Sequence, residues 1–173
     1  MKISYLPATG NTPREHIIAP YYIEPGPWGY AFYIIAHSDL SGRVSVFKME
    51  RIQNAELSAD TFTLPSDFDP LIYLSSAWNI MGQDYVGQEP ITVRLRFSPA
   101  VARRVKETRW HPTQQLTDLD DGSCEMTVQI AETLEMVPWI RGWANNVEVI
   151  EPPNVRDQLA AEAHLTAALY EKG

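Results

Sequence analysis

Ala31-Phe32-Tyr33-Ile34-Ile35-Ala36-His37, then the turn Ser38-Asp39-Leu40-Ser41-Gly42, then Arg43-Val44-Ser45-Val46-Phe47-Lys48-Met49-Glu50-Arg51-Ile52, is the stretch whose reading decides the fold. Two runs rich in β-branched and aromatic residues flank five turn formers, the pattern of a β-hairpin. Working outward, residues 1–5 and 16–23 read as further strands, with Thr9-Gly10-Asn11-Thr12 and Pro25-Gly26-Pro27-Trp28-Gly29 as turns. Expected strands are therefore 1–5, 16–23, 31–37 and 44–52. Several short strands joined by tight turns predict a small β-barrel, which closes on itself and so exposes no edge.

The hairpin carries more donors than a structural element needs. Tyr33, His37, Arg43, Ser45, Lys48 and Arg51 interrupt apolar segments, and Arg14 precedes the second strand. Arginine presents a rigid fork that matches phosphate or carboxylate bidentately, and lysine adds a point charge of free geometry. Beside them, the Tyr33 ring offers a surface for stacking a base. The competing reading is that each cation covers the barrel rim or pairs with Glu15 or Glu50.

These residues resemble the WYL domain, a small Sm-like or SH3-like β-barrel of bacterial transcriptional regulators. Phe32-Tyr33-Ile34 stands at the family's Trp-Tyr-Leu triplet, and Tyr5, Arg14 and Pro20 match its opening Tyr, Arg and Pro. Phe47-Lys48-Met49-Glu50-Arg51-Ile52 matches its closing segment. Ser45 stands where the family carries an arginine, with Arg43 two residues earlier on the same strand face. Five later segments resemble the WCX extension that follows such domains: Ile91 to Pro99, His111-Pro112-Thr113-Gln114, Asp121-Gly122-Ser123, Val137 to Trp143 and Val147 to Pro152. The resemblance implies an effector-sensing module whose ligand shifts the arrangement of barrel and extension, and so changes how an attached winged helix meets its operator. No helix-turn-helix candidate occurs in this sequence. DNA contact is therefore expected only through a winged-helix domain absent from this chain.

At 173 residues the chain suits one domain or two small ones. We expect a barrel over residues 1–60, an acidic connector with one short helix over 61–88, and a second module over 89–173. In that module Ile91, Val93, Leu95 and Phe97 alternate with Thr92, Arg94 and Arg96, giving a half-buried strand. Ser98-Pro99 supplies an N-cap and first-turn proline for a helix over 100–108. A hairpin over 114–130 turns at Asp120-Asp121-Gly122, followed by a helix over 133–143 and a strand over 147–150. The order β-α-β-β-α-β is ferredoxin-like. Residues 154–170 predict an amphipathic C-terminal helix with Leu159, Ala163, Ala167 and Tyr170 on one packing face. The fold class expected is thus α+β.

The formal net charge is −8, which opposes broad nucleic-acid binding because counterion release needs a positive surface. Residues 1–52 hold five Lys or Arg against four acids, about +1, leaving about −9 for the rest. That asymmetry favours a local anion pocket over an extended basic groove. The expected partner is an anionic small molecule, such as a nucleotide, or a short single-stranded nucleic acid.

Catalysis lacks its parts. No Gly-x-Ser-x-Gly elbow, Walker loop or dinucleotide fingerprint is present, and Asp118, Asp120 and Asp121 surround a turn glycine. His16, His37, His111 and His164 show no metal-ligand spacing. Cys124 is the only cysteine, which excludes an intramolecular disulfide and a multi-thiolate centre, and reads as a small buried hydrophobe. We expect no enzyme activity, no cofactor and no metal. No run of about 18 apolar residues and no apolar leader segment is present, so neither membrane nor secretion is expected and the cytoplasm is the default. The rival reading is a dimerisation scaffold without a ligand, a homodimer built on the ferredoxin-like sheet, with Trp139, Arg141 and Trp143 as packing or contact residues.

Overall fold

Five strands build the first sheet: β1 (Lys2–Tyr5), β2 (Arg14–Pro25), β3 (Phe32–Ser38), β4 (Arg43–Lys48) and β5 (Ile52–Glu56), in the order β4-β3-β2-β1-β5. The computed structural model describes residues 1–26, 31–81 and 89–171. The turn expected over 25–29 falls mostly outside them. The chain divides into two units, Met1–Pro70 and Leu71–Gly173, and is α+β, with two antiparallel sheets and four helices among the described residues.

The expected hairpin is β3 and β4. Gly42, at φ +65°, takes the left-handed conformation and donates its N–H to the Ser38 carbonyl at 2.8 Å. The strand expected over 44–52 is not continuous. It stops at Lys48, Met49–Arg51 form a single 3-10 turn, and Ile52 begins a fifth strand on β1. Phe47 and Ile52 explain the break, since both pack in the core with Ile3, Ile18, Ile34 and Ala36. Five positions apart on an unbroken strand they would face opposite sides.

The sheet is curled and open rather than the closed barrel expected, because β4 and β5 are its two edges. Its curl is nevertheless tight. Tyr5 on β1 accepts a hydrogen bond at its hydroxyl from the Lys48 backbone N–H on β4 at 3.2 Å. In a flat sheet those strands lie about 14 Å apart, beyond a phenol's reach. Inside the curl the rings of Tyr5, His16 and Phe47 meet edge to face at 5.1–6.2 Å between centroids.

The second unit follows α1 (Pro70–Leu74) with β6 (Ile91–Phe97), α2 (Pro99–Lys106), β7 (Gln115–Asp118), β8 (Cys124–Ile130), α3 (Met136–Arg141), β9 (Val147–Glu151) and α4 (Pro153–Tyr170). The strand order is β7-β8-β6-β9, all antiparallel. Val93, Leu95 and Phe97 of β6 and Cys124, Met126, Val128 and Ile130 of β8 are fully buried on one face. Arg94 and Arg96 point the other way and pair with Glu151 at 3.3 Å and Asp121 at 2.6 Å. Trp78, Trp110, Trp139 and Trp143 cluster in or against this core, with centroids 4.9–5.9 Å apart. Trp139 and Trp143 are therefore packing residues.

Three local expectations are corrected. Ser98 holds the N-cap position of α2 but does not cap it, because its hydroxyl donates to Asn146 Oδ1 at 2.9 Å instead. α3 is shorter than 133–143. It runs only from Met136 to Arg141 and ends at its Gly142 C-cap. α4 lacks the packing face assigned to it. Of its apolar residues only Val155 is buried and Leu159 half-buried, because they encircle the helix rather than line one side.

Candidate functional site

Register, not sequence spacing, decides which donors share a surface. In the β3/β4 pair Tyr33 lies opposite Lys48, Ile35 opposite Val46 and His37 opposite Val44, while Ser38 lies opposite Arg43 and Ala36 opposite Ser45. Directly opposed residues share a face. Tyr33, His37 and Lys48 are thus on one side of the hairpin, and Arg43 and Ser45 are on the other, with Phe47 and the core. Ser45 is held there by a hydroxyl contact with Ser41 at 3.1 Å. The sequence reading grouped all five, and the structure separates them. His37 is also remote from Lys48 along the strand. It sits beside the turn, 3.9 Å from Asp39.

Arg14, Lys48 and Arg51 behave differently. Arg14 opens β2 opposite Tyr5, and Ile52, directly after Arg51, is the other neighbour of Tyr5. The Arg51 carbonyl accepts from the Leu6 N–H at 2.9 Å, and the Lys48 N–H donates to the Tyr5 hydroxyl. All three residues are therefore anchored by backbone around the end of β1, although Arg14 shares the face of Tyr5 and the core while Lys48 shares the opposite face with Tyr33. Among the described residues none of the three forms an ion pair, whereas Lys2 nearby pairs with Glu15 at 3.2 Å. Glu50, the expected partner, instead accepts the Phe32 N–H at 3.3 Å.

Two further residues shape this end, and the sequence reading did not single out either. Gly26 is one. A Cβ there would lie 2.8 Å from the Tyr33 ring, so the ring rests against glycine backbone and any larger residue displaces it. Glu24 is the other, directly across from Tyr33 on the face that carries Lys48. Burial raises its pKa above the ordinary carboxylate value. It stands about 10 Å from Lys48, two strand spacings away. An anion docking between Tyr33 and Lys48 meets one cation at hand and one carboxylate at the margin.

The histidines fall into distinct roles. His16 is the aromatic neighbour of Tyr5 and Phe47 and contacts the Ser38 hydroxyl at 3.1 Å through Nδ1. Burial, then the charge on Arg14, lowers its pKa. His111 is buried and stacked on Trp78, with centroids 6.0 Å apart and planes 11° apart. Its Nε2–H donates to the Ala77 carbonyl at 3.1 Å, leaving Nδ1 to accept from the Thr113 N–H at 3.2 Å. Burial pushes its pKa down, partly offset by the Ala77 hydrogen bond. It is a structural pin. Asp121 accepts from the Ser123 N–H, the Ser123 hydroxyl and Arg96, which hold its pKa down to about 2. That makes it the organiser of the β7/β8 turn. Burial raises the Cys124 thiol pKa, as fits an inert core residue. Among the described residues no three His, Cys, Asp or Glu side chains gather as a metal site, and no helix is long and apolar enough to cross a membrane.

Comparison with known proteins places the second unit first. Residues 89–167 match the family model of the WCX domain. No curated protein matches the chain. Among solved structures, a CRISPR Cas-related protein is similar over 99% of this chain and 47% of its own, with 10% identity and a TM-score of 0.61. The proteasome accessory factor B/C of Arthrobacter aurescens aligns over 99% of this chain and 25% of its own, with 16% identity and a TM-score of 0.41. The chain spans about half and about a quarter of those two proteins. The first similarity is one of fold.

Proposed function

We propose that this chain is the effector-sensing part of a WYL/WCX-type transcriptional regulator, a cytoplasmic and non-enzymatic module. In this reading the first unit binds an anionic ligand, a nucleotide or a short single-stranded nucleic acid. The observation that carries it is the set of cationic residues Arg14, Lys48 and Arg51, anchored around Tyr5 with no ion pair among the described residues. The WCX match over residues 89–167 supports the regulatory setting. The strand order β4-β3-β2-β1-β5, with a 3-10 turn between its last two strands, supports an Sm-like or SH3-like first unit. The order β7-β8-β6-β9 supports a ferredoxin-like second one. Tyr33 is the stacking surface of the site. In this reading Arg43 and Ser45, which face the other way, and His37, farther along the strand, are not its first contacts.

A ligand can act on an attached DNA-binding domain only by binding one arrangement of the module better than another. Fluorescence anisotropy with a labelled oligothymidylate, and calorimetry with nucleotides, test the binding step. Each phosphate neutralised on a single strand contributes about −0.7 to the slope of log affinity against log salt, so a strand long enough to reach all three cations gives a slope of about −2. Lys48→Ala or Arg51→Ala is expected to weaken binding about 10- to 100-fold, the worth of one charge-assisted hydrogen bond, and to bring the slope to about −1.4. A wild-type protein that binds neither probe, or an Arg51→Ala protein with unchanged affinity and slope, refutes the site.

A further inference from the structure

Across three strands of the first sheet, Glu24 of β2, Tyr33 of β3 and Lys48 of β4 stand opposite one another in a single row on one face. A carboxylate, an aromatic ring and an ammonium group thus follow in that order, over about 10 Å from the first strand to the third. The row has an apolar flank. Tyr22, Ile35 and Val46 form the next row on the same face, and Ile35 is fully buried. The Tyr33 ring is seated on the Gly26 backbone, whose N–H donates to the Ala31 carbonyl at 2.7 Å and closes this end of the β2/β3 pair. Glu24 is half-buried and has no hydrogen bond or ion pair among the described residues. A carboxylate drawn partly out of water without a donor is destabilised, and N–H groups brought by a ligand relieve it.

We propose that Glu24 reads the base of the bound nucleotide, and that the base is guanine. This rests on the anion-site reading above and names the ligand class for that site. With the phosphate at Lys48 and the base stacked on Tyr33, the edge of the base falls toward Glu24 at the other end of the row. An ionised carboxylate only accepts, through two oxygens side by side. Guanine presents two adjacent donors, N1–H and the N2 amino group, which meet both oxygens in the paired geometry that an arginine fork offers a carboxylate. Adenine and cytosine set one amino donor beside a ring nitrogen, whose lone pair would face the second oxygen. Uracil and thymine hold their single N–H between two carbonyls. The carboxylate therefore selects by repulsion as well as by attraction.

Calorimetry on the full chain with guanosine, inosine and adenosine 5′-monophosphates tests it. A good bidentate pair discriminates by about 10- to 100-fold, so the guanosine nucleotide should bind that much more tightly than the adenosine one. Inosine, which keeps N1–H but lacks the amino group, should fall between them. Glu24→Gln offers one donor and one acceptor, which complements adenine, so it should weaken the guanosine nucleotide about 10-fold and tighten the adenosine one. Lys48→Ala, which removes only a phosphate contact, should weaken both alike and leave their ratio unchanged. On oligothymidylate, whose bases lack the paired donors, Glu24→Gln acts through charge alone. The wild-type comparison needs no variant, so a folding defect cannot mask the result. Guanosine and adenosine nucleotides binding the wild type within about twofold, or a Gln variant that keeps the wild-type ratio, overturns the inference and leaves the anion site standing. A protein that binds neither the mononucleotides nor oligothymidylate refutes both.

Discussion

Replacing His111 by alanine should destabilise the second unit by about 3 kcal/mol. The ring is 2% exposed, and it ties the loop at Ala77 to the start of the β7/β8 hairpin. Its loss leaves the buried Ala77 carbonyl without this donor, about 1–3 kcal/mol, and removes the ring that stacks on Trp78, another 1.5–3 kcal/mol. For a unit of this size that lowers the melting temperature by about 10–20 °C. Four of the five tryptophans, Trp78, Trp110, Trp139 and Trp143, lie in this unit, so tryptophan fluorescence follows it selectively. The pH dependence gives a second reading. Folded His111 titrates below its ordinary value of 6.5, so the unfolded chain binds the extra proton first. Its contribution is fully present above about pH 6.5 and is lost as pH falls from there through the lowered folded pKa. That loss begins at a higher pH than the one at which Asp121 and Glu162, both depressed carboxylates, are protonated. His111→Gln keeps a donor for Ala77 and removes the titration, and should flatten the loss that begins as pH falls below about 6.5. A His111→Ala protein melting within about 2 °C of wild type, or a Gln variant with the full acid-side loss, refutes the reasoning.

Glu135 receives the N–H groups of Asn79, Ile80 and Met81 on one oxygen, at 3.2, 2.8 and 2.8 Å. Glu135→Ala should cost about 2–3 kcal/mol in urea unfolding and speed hydrogen exchange at Ile80, and unchanged protection there would show that the carboxylate does not hold the segment. Glu24→Gln should tighten oligonucleotide binding about two- to threefold at low salt, because a carboxylate about 10 Å from Lys48 opposes an anion there. Wild-type affinity should also rise as acid protonates Glu24 through its raised pKa, and the Gln variant should lack that rise. Equal affinities at low ionic strength would remove Glu24 from the site.

What the sequence made legible follows from periodicity. Strict alternation over residues 91–97 reproduces β6 to the residue, and the turn signals at Gly42 and Gly122 mark hairpins whose glycines hold φ +65° and +81°. The 3-10 break at Met49–Arg51 was hidden because no glycine or proline interrupts residues 44–52 between Val44, Val46, Phe47 and Ile52. Only the shared core of Phe47 and Ile52, a tertiary fact, requires it. The facing of the candidate site was hidden for a related reason. Four residues lie between the paired Ser38 and Arg43, and that loop length puts odd-numbered β3 residues opposite even-numbered β4 residues. Tyr33 therefore goes with Lys48 and not with Arg43 or Ser45. A one-residue change in the loop would reverse every assignment. The approach of Lys48 to Tyr5 depends on the curl of the sheet, which no local pattern encodes.

The two units treat charge in opposite ways, and this bears on what the first can bind. In the second, Arg94, Arg96, Arg103, Lys106, Arg141 and Arg156 each pair with a carboxylate, and Arg104 lies 4.4 Å over the Trp143 ring. In the first, Arg14, Lys48 and Arg51 form no ion pair among the described residues. The chain has 22 acids for 14 Lys and Arg, so scarcity of carboxylates is not the reason. Screening turns this into a size filter. At physiological salt fields decay over about 8 Å, so a mononucleotide or a strand end at Tyr5 senses chiefly the cations beside it. A duplex spans many such lengths and meets the −8 of the whole chain. A short anion gains the local attraction without the distant repulsion, whereas each added helical turn of duplex gains repulsion alone. On the proposed reading, the net charge that opposes general nucleic-acid binding leaves the local site open to a small anionic ligand.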